Sequence, residues 1–371
     1  MRQIIYHGKL PDPFLKEDGS RVTPEEWPAF KQALREQIVA MEYGGMPPRP
    51  EVVRIERLSS MGCGEISTWY KIYAGTRERQ ISFNLELYLP AGIDSTHVRA
   101  GQKFPVVLTG DGCYCNMESP VINEIQNRGF IAAKFNRLDI VNDVPKNREG
   151  GLHDVYPGNY SDISAWAWGY MVCMDVFEQL SYTDETEVAI TGHSRGGKTV
   201  LLAAAVDERI KYVCPNNSGC HGAVSHRIEV PEQEGYPHRT ETMADMCKTF
   251  PTWMGDALFD YQNCVENLPY DMHYFGALIA PRYYLQCEGM QDYWINPMGA
   301  WQNFMAVKAC YRYLGCPDHA GAWFRPGEHR HKLPDYMEFL DFIVRSREGA
   351  PLHDHLRINP YPDMTRNFDW E

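Results

Sequence analysis

The segment Glu187-Val188-Ala189-Ile190-Thr191-Gly192-His193-Ser194-Arg195-Gly196-Gly197-Lys198 joins an apolar run to an alanine- and leucine-rich one through Gly-x-Ser-x-Gly. That pattern predicts a strand turning sharply into a helix, with the serine backbone strained and its hydroxyl lifted above a sheet. Side chains at positions 192 and 196 would collide with the neighbouring strand and helix. The free N–H groups of the helix N-terminus would face the reacting centre and favour developing negative charge. The chemistry on offer is nucleophilic attack on a carbonyl, with Ser194 as nucleophile. A plain turn serine is the bland alternative, and the strand-to-helix setting speaks against it.

A serine hydroxyl needs a base, and the base needs an orienting carboxylate. With a nucleophile on such an elbow, the chain order is serine, acid, histidine. Glu288-Gly289-Met290-Gln291-Asp292-Tyr293-Trp294 follows the apolar run 283–287 and offers Asp292 as acid, with Glu288 as competitor. Ala322-Trp323-Phe324-Arg325-Pro326-Gly327-Glu328-His329-Arg330-His331 follows as the last strand and its loop. Its Gly-x-His step makes His329 the expected base and His331 the second choice. Neutral imidazole, with an ordinary pKa of about 6.5, suits proton transfer from the hydroxyl. His329, His331 and the nearby Asp335 also read as metal ligands, but no third ligand of convincing spacing accompanies the two histidines, and no metal is expected. The loop Gly110-Asp111-Gly112-Cys113, after the run 105–109, is placed to give a second oxyanion N–H, at Gly112. A surface turn is the alternative there.

These residues need a scaffold. From residue 100 onward, short apolar runs at 105–109, 130–135, 187–191, 211–214, 283–287 and 322–324 alternate with helix-length segments at 119–128, 161–181, 196–206, 297–314 and 334–346. Alternation of that kind predicts a mostly parallel central sheet flanked by helices, and with the elbow it gives the α/β-hydrolase fold. Runs at 52–58, 68–74 and 81–89 read as earlier extended strands, the last alternating like a half-exposed antiparallel one. Residues 1–50, with a helix over 25–41, form an N-terminal arm on a single domain spanning 1–371. Segment 218–281, aromatic and rich in histidine, is expected to be a cap or loops over the strand ends.

Composition bounds the partners. The net charge of -13, without a basic run interleaved with aromatics, argues against nucleic acid. No stretch approaches the ~20 apolar residues of a membrane span. The first ten residues lack the pattern of a signal peptide. With eleven cysteines and no Cys-x-x-Cys pair, the expectation is a cytoplasmic protein. Cys113-Tyr114-Cys115 is a weak candidate for redox or metal chemistry.

Several segments then resemble carbohydrate esterase family 15, the glucuronoyl esterases, and its bacterial members in particular. Gly192-His193-Ser194-Arg195-Gly196-Gly197-Lys198 looks like the family's Ser-Arg-x-Gly-Lys motif, and Pro215-Asn216-Asn217-Ser218-Gly219-Cys220-His221-Gly222-Ala223 like its Ser-Gly-x-Gly-Gly-Ala segment. Phe250-Pro251-Thr252-Trp253 and Leu268-Pro269-Tyr270-Asp271-Met272-His273 resemble two more. The resemblance implies that Arg195 helps to neutralise the oxyanion, that Lys198 hydrogen-bonds a uronic sugar, and that Trp294 packs against that sugar. It implies a serine esterase acting on a glucuronoyl or 4-O-methyl-glucuronoyl ester without metal or organic cofactor. A small carbohydrate ester or oligosaccharide is the expected partner. The other readings are an acetyl esterase of imported oligosaccharides and a non-catalytic carbohydrate-binding homologue. Two positions depart from the pattern: Asn217 stands where fungal members carry a glutamate acid, which returns that duty to Asp292, and His221 replaces a small residue.

Overall fold

The computed structural model describes residues 3–370 except 64, 94–97, 115–116 and 145–146, with side chains of 59–66 also left aside. Cys115 of the Cys113-Tyr114-Cys115 pair lies outside the described residues. A two-residue strand, β1 (Ile5–Tyr6), precedes the arm helix α1 (Trp27–Tyr43). Proline in its first turn and left-handed Gly44 after its end bound that helix. The antiparallel strands β2 (Val52–Cys63), β3 (Glu65–Gly75) and β4 (Gln80–Tyr88) follow. In β4 the residues from Gln80 to Leu85 alternate between exposed and buried, as expected of a strand with one face on the core.

The α/β part runs β5 (Phe104–Thr109), α2 (Ser119–Asn127), β6 (Ile131–Phe135), α3 (Leu152–Val155), α4 (Asp162–Gln179), β7 (Thr183–His193), α5 (Arg195–Val206) and β8 (Ile210–Asn216). It continues with β9 (Ile228–Glu229), α6 (Met243–Thr249), α7 (His273–Ile279), β10 (Tyr283–Gly289), α8 (Pro297–Tyr313), β11 (Ala320–Arg325) and α9 (Leu333–Arg347). Nine strands form one sheet in the order β11-β10-β8-β7-β5-β6-β4-β3-β2. Pairing is parallel from β6 to β11 and antiparallel from β6 through β4 to β2. Strand β1 pairs with β9. This is the mostly parallel, helix-flanked sheet that the alternating runs predict.

Two features bear on the strand ends where a site would form. Helix α4 is apolar on nearly every side and buries Trp166, Trp168 and Tyr170, as a helix enclosed in the core must. Its Tyr170 hydroxyl accepts the Gly110 N–H at 2.6 Å and so fixes the loop after β5. Segment 218–281 is only partly the expected cap. Residues 218–228 and all of α7 are buried, so much of the segment is core. Buried on all sides, α7 has no polar face and hence no period in the sequence. The looser part is the run of short turns between Pro251 and Asn267.

At the strand ends, two histidines lie in poor reach of water. His193 Nδ1 meets Asn216 Oδ1 at 2.7 Å. His331, 2% exposed, stacks on Tyr336 with ring centres 4.2 Å apart. Burial, and then the neighbouring His329, press the His193 pKa down to about 3. Burial, and then His193, hold His331 well below its ordinary value. Unfolded, both imidazoles take up a proton below about 6.5. Folded, neither does until the pH is much lower. Each therefore lowers stability as pH falls from about 6.5, by up to roughly 1.4 kcal/mol per pH unit. Buried Glu288, its carboxyl raised well above the usual range by desolvation, works in the opposite direction. The readout is therefore the difference between wild type and a His331→Gln variant. Urea unfolding at pH 7, 6 and 5 is expected to show the wild type losing more stability than the variant. Parallel pH curves would mean that His331 titrates as freely in the fold as out of it.

Candidate active site

The elbow forms as its glycines require. Ser194 has φ 56° and ψ -122° and caps α5, a strained conformation that L residues adopt only where their surroundings impose it. A Cβ on Gly192 would stand 2.4 Å from the Gly196 carbonyl oxygen, so strand and helix can cross there only without side chains. At Gly196 the obstacle is a side chain: a Cβ would stand 2.2 Å from Asp111 Oδ1. Asp111 and Arg137, both fully buried, form an ion pair, and Asp111 Oδ2 accepts the His193 N–H at 2.7 Å. The Ser194 N–H donates to the Asn216 carbonyl at 3.0 Å, which ties the turn to the end of β8.

The ends of β10 and β11 bring an imidazole and a carboxylate together. His329 Nδ1 lies 2.6 Å from Asp292 Oδ2, and the same oxygen accepts the Asn217 amide at 2.6 Å. The ring centre of His329 is 4.2 Å from that of His193, the residue before Ser194. Met290 N–H to Arg325 O (2.9 Å) and Gln291 N–H to Gly327 O (3.0 Å) lace the two loops together. Of the competitors, Glu288 is 1% exposed and takes a 3.1 Å bond from Gln286. His331 faces Thr191 Oγ1 at 3.5 Å. Asp335 is engaged by Arg325 at 2.6 Å, the Lys332 N–H at 2.8 Å and Asn216 at 3.1 Å. Asp335 is thus the ion-pair partner of Arg325.

The remaining expected residues fall into different surroundings. The Arg195 guanidinium pairs with Asp143 and lies 4.5 Å over the Trp253 ring, while Trp253 Nε1 donates to Asp143 at 3.0 Å. Trp294, at 42% exposed, is a surface ring and not core. Lys198, expected from the resemblance to face the sugar, has its ammonium directed at backbone carbonyls. It is 3% exposed, and its Nζ donates to the carbonyls of Ser218 and Cys220, with Glu241 4.0 Å away. Burial lowers its pKa. Its charge supports the loop after β8. In the 110–112 loop, Gly110 N–H is held by Tyr170 and Asp111 N–H by Thr109 Oγ1 at 3.2 Å. Gly112 packs against the Phe135 carbonyl, 2.7 Å from where a Cβ would be.

Sequence reasoning passed over Asp111, Asp143 and the bond from Asn217 to Asp292. Asp111 lies inside the flanking loop, between two glycines, and only the crossing of three strand ends reveals that its carboxylate faces the elbow. Trp253 belongs to a segment already singled out, but the spacing did not reveal that it would meet Arg195.

Known proteins share this architecture. Residues 72–315 match the family described as glucuronyl esterase, fungi. The chain is 30% identical over 339 residues to 4-O-methyl-glucuronoyl methylesterase 1 of Wolfiporia cocos (strain MD-104), with 89% of this chain and 78% of that protein covered. Among solved structures, a family 15 glucuronoyl esterase from Caldicellulosiruptor kristjansonii superposes with a TM-score of 0.79 at 26% identity, covering 96% of this chain and 97% of that one. A glucuronoyl esterase from Sporotrichum thermophile, in complex with methyl 4-O-methyl-β-D-glucopyranuronate, shares the fold with a TM-score of 0.74 at 22% identity, over 94% and 90% of the two chains. With most of its length matched by family and relatives alike, the chain belongs to the glucuronoyl esterases, carbohydrate esterase family 15.

Proposed function

We propose that Ser194, His329 and Asp292 are the catalytic triad with which this carbohydrate ester hydrolase cleaves glucuronoyl or 4-O-methyl-glucuronoyl esters. The observation that carries the reading is the 2.6 Å contact of His329 Nδ1 with Asp292. It leaves Nε2 as the nitrogen to take a proton. Asp292 holds the ring and stabilises the imidazolium, and the Asn217 amide fixes the carboxylate in turn.

The reaction is two-step acyl transfer. His329 removes the proton of Ser194 as its oxygen attacks the ester carbonyl. The C–O bond to the alcohol breaks, and that alcohol leaves with the proton from His329. Water, deprotonated by the same imidazole, then releases the acid and restores the serine. Charge on the tetrahedral oxygen meets the Arg195 guanidinium, which pairs with Asp143, lies over the Trp253 ring and carries five N–H donors in all. The N–H of Gly112 is the second donor in this proposal. Exposed Trp294 offers the sugar a stacking face, with Arg239 5.5 Å from its ring. The uronate sits on the acyl side, and the substrate is a small carbohydrate ester or oligosaccharide. Support for the substrate class comes from the relative in Wolfiporia cocos, a methylesterase of 4-O-methyl-glucuronoyl esters by name.

Ser194→Ala is expected to lower kcat on a benzyl glucuronate ester by at least about 10⁴-fold. Asp292→Asn is expected to lower it about 10⁴-fold with little change in KM, and Arg195→Ala about 10²- to 10³-fold. Glu288→Gln is expected to leave turnover within a few-fold. Full activity in Ser194→Ala, or a larger loss for Glu288→Gln than for Asp292→Asn, would overturn the assignment.

The ester is tested separately. Comparing kcat/KM for benzyl glucuronate with that for 4-nitrophenyl acetate is expected to favour the bulky uronate. A preference for the acetyl ester would move the activity to deacetylation. Binding of glucuronate with hydrolysis of neither ester would point to a carbohydrate-binding homologue.

A further inference from the structure

Behind the loop that Lys198 supports lies a second, buried group of chemically competent side chains. Cys220 Sγ and one ring nitrogen each of His221 and His226 lie within 4.8 Å of one another. All three residues are buried, Cys220 at 4%, His221 at 1% and His226 at 9% exposed. Cys220 Sγ is 3.5 Å from His226 Nδ1. A thiolate at ~2.3 Å and an imidazole at ~2.0 Å from a tetrahedral ion stand roughly 3.5 Å apart, so the observed spacing is that of two neighbouring ligands.

The surroundings match a metal centre as well as the ligands do. Glu42, from α1, lies fully buried beside both imidazoles: Oε1 is 2.7 Å from His221 Nδ1 and 3.3 Å from His226 Nε2. Its other oxygen accepts the Tyr270 hydroxyl at 2.6 Å. A carboxylate gripping a ligand histidine by one nitrogen fixes the ring and presents the other nitrogen to the ion. The second nitrogen of His221, Nε2, is buried and has no hydrogen-bond partner, which costs stability unless something occupies it. One thiolate and one carboxylate balance a divalent cation, so the filled site is neutral at its centre. A cavity of about 390 Å³, lined by Cys220 and His226 together with Glu241 and Met243, gives an entry path.

We propose that Cys220, His221 and His226 bind one zinc ion or a cation of like softness, with Glu42 as orienting carboxylate or fourth ligand. The site is structural: it joins the arm helix to the loop whose Cys220 carbonyl receives Lys198 and whose Cys220 N–H donates to Glu241 at 2.7 Å. The sequence reading looked for metal at His329 and His331. The set Cys220-His221-x4-His226 carried the signal, hidden because two ligands are adjacent and Glu42 is far off in the chain.

The test uses the whole 371-residue chain after chelation and does not depend on ester chemistry. Titration with cobalt(II) is expected to give one equivalent bound, with a near-ultraviolet thiolate-to-cobalt band that zinc abolishes. Cys220→Ser is expected to lose the band and bind about a hundredfold more weakly, and His226→Asn to weaken binding at least about tenfold. If those variants do not fold, X-ray absorption of the zinc-loaded wild type decides, with one sulfur at ~2.3 Å among nitrogen and oxygen at ~2.0 Å. No thiolate band in the wild type, a band that survives Cys220→Ser, or a zinc shell without sulfur would each overturn the proposal.

Discussion

The site hangs on one buried carboxylate. Asp111 leaves the end of β5, pairs with Arg137 just after β6, and accepts the N–H of His193 at the end of β7. Taking a carboxylate and a guanidinium out of water costs several kcal/mol per ion unless each finds partners. Neither can therefore leave without stranding the other. Burial pushes the Arg137 pKa down to about 10, which still leaves it charged at neutral pH and able to hold Asp111. The arrangement fixes three adjacent strand ends relative to one another, and it closes the space into which any side chain at position 196 would grow. The strained backbone of Ser194 persists because its surroundings are locked on the β5 side by Asp111 and on the β8 side by Asn216.

A second carboxylate repeats the logic on the other half of the sheet. Asp292 Oδ2 takes hydrogen bonds from His329 and from Asn217, so β8, β10 and β11 converge on it as β5, β6 and β7 converge on Asp111. Asp335 extends the net, joining Arg325 at the end of β11 to Asn216 at the end of β8. Open parallel sheets leave a crevice at the carboxyl ends of their strands. Here that crevice is rigid because each loop is tied to a neighbour through a charged group with little freedom to relax. Trp294 is exposed and His329 half-exposed, so both stay open to solvent at this crevice.

Most of the scaffold was legible because period and length mark it. The strands and long helices of the α/β part lie within a few residues of the runs that predict them, and the elbow announces itself through glycine. Local spacing also brought out Asp292 and His329, because the loops that carry them directly follow strands. What spacing does not carry is the direction of a polar side chain in a packed interior. Asp111 reads as a turn residue until the Arg137 loop is known to lie over it. Lys198 reads as a first-turn lysine facing solvent or substrate, yet the chain after β8 folds over it and its ammonium meets two carbonyls. Helix α7, buried on all sides, shows no alternation of polar and apolar residues for a periodicity argument to find.

The arm before the sheet is part of the same construction. The Tyr43 hydroxyl donates to the His221 carbonyl at 2.5 Å, Ser161 N–H to the Tyr43 carbonyl at 2.8 Å, and Gly255 N–H to the Glu42 carbonyl at 2.8 Å. One turn of α1 thus touches the loop after β8, the N-cap of α4 and the turns after α6. These bonds are buried, and breaking them would leave polar groups without water to replace the lost partner, at about 1–3 kcal/mol each. The Ser218–Cys220 carbonyls that receive Lys198 lie on the same loop, so the end of the arm helix reaches Lys198 through a single stretch of backbone. The arm that the sequence reading places against the main domain is, by these hydrogen bonds, tied into the loop after β8, the start of α4 and the turns after α6.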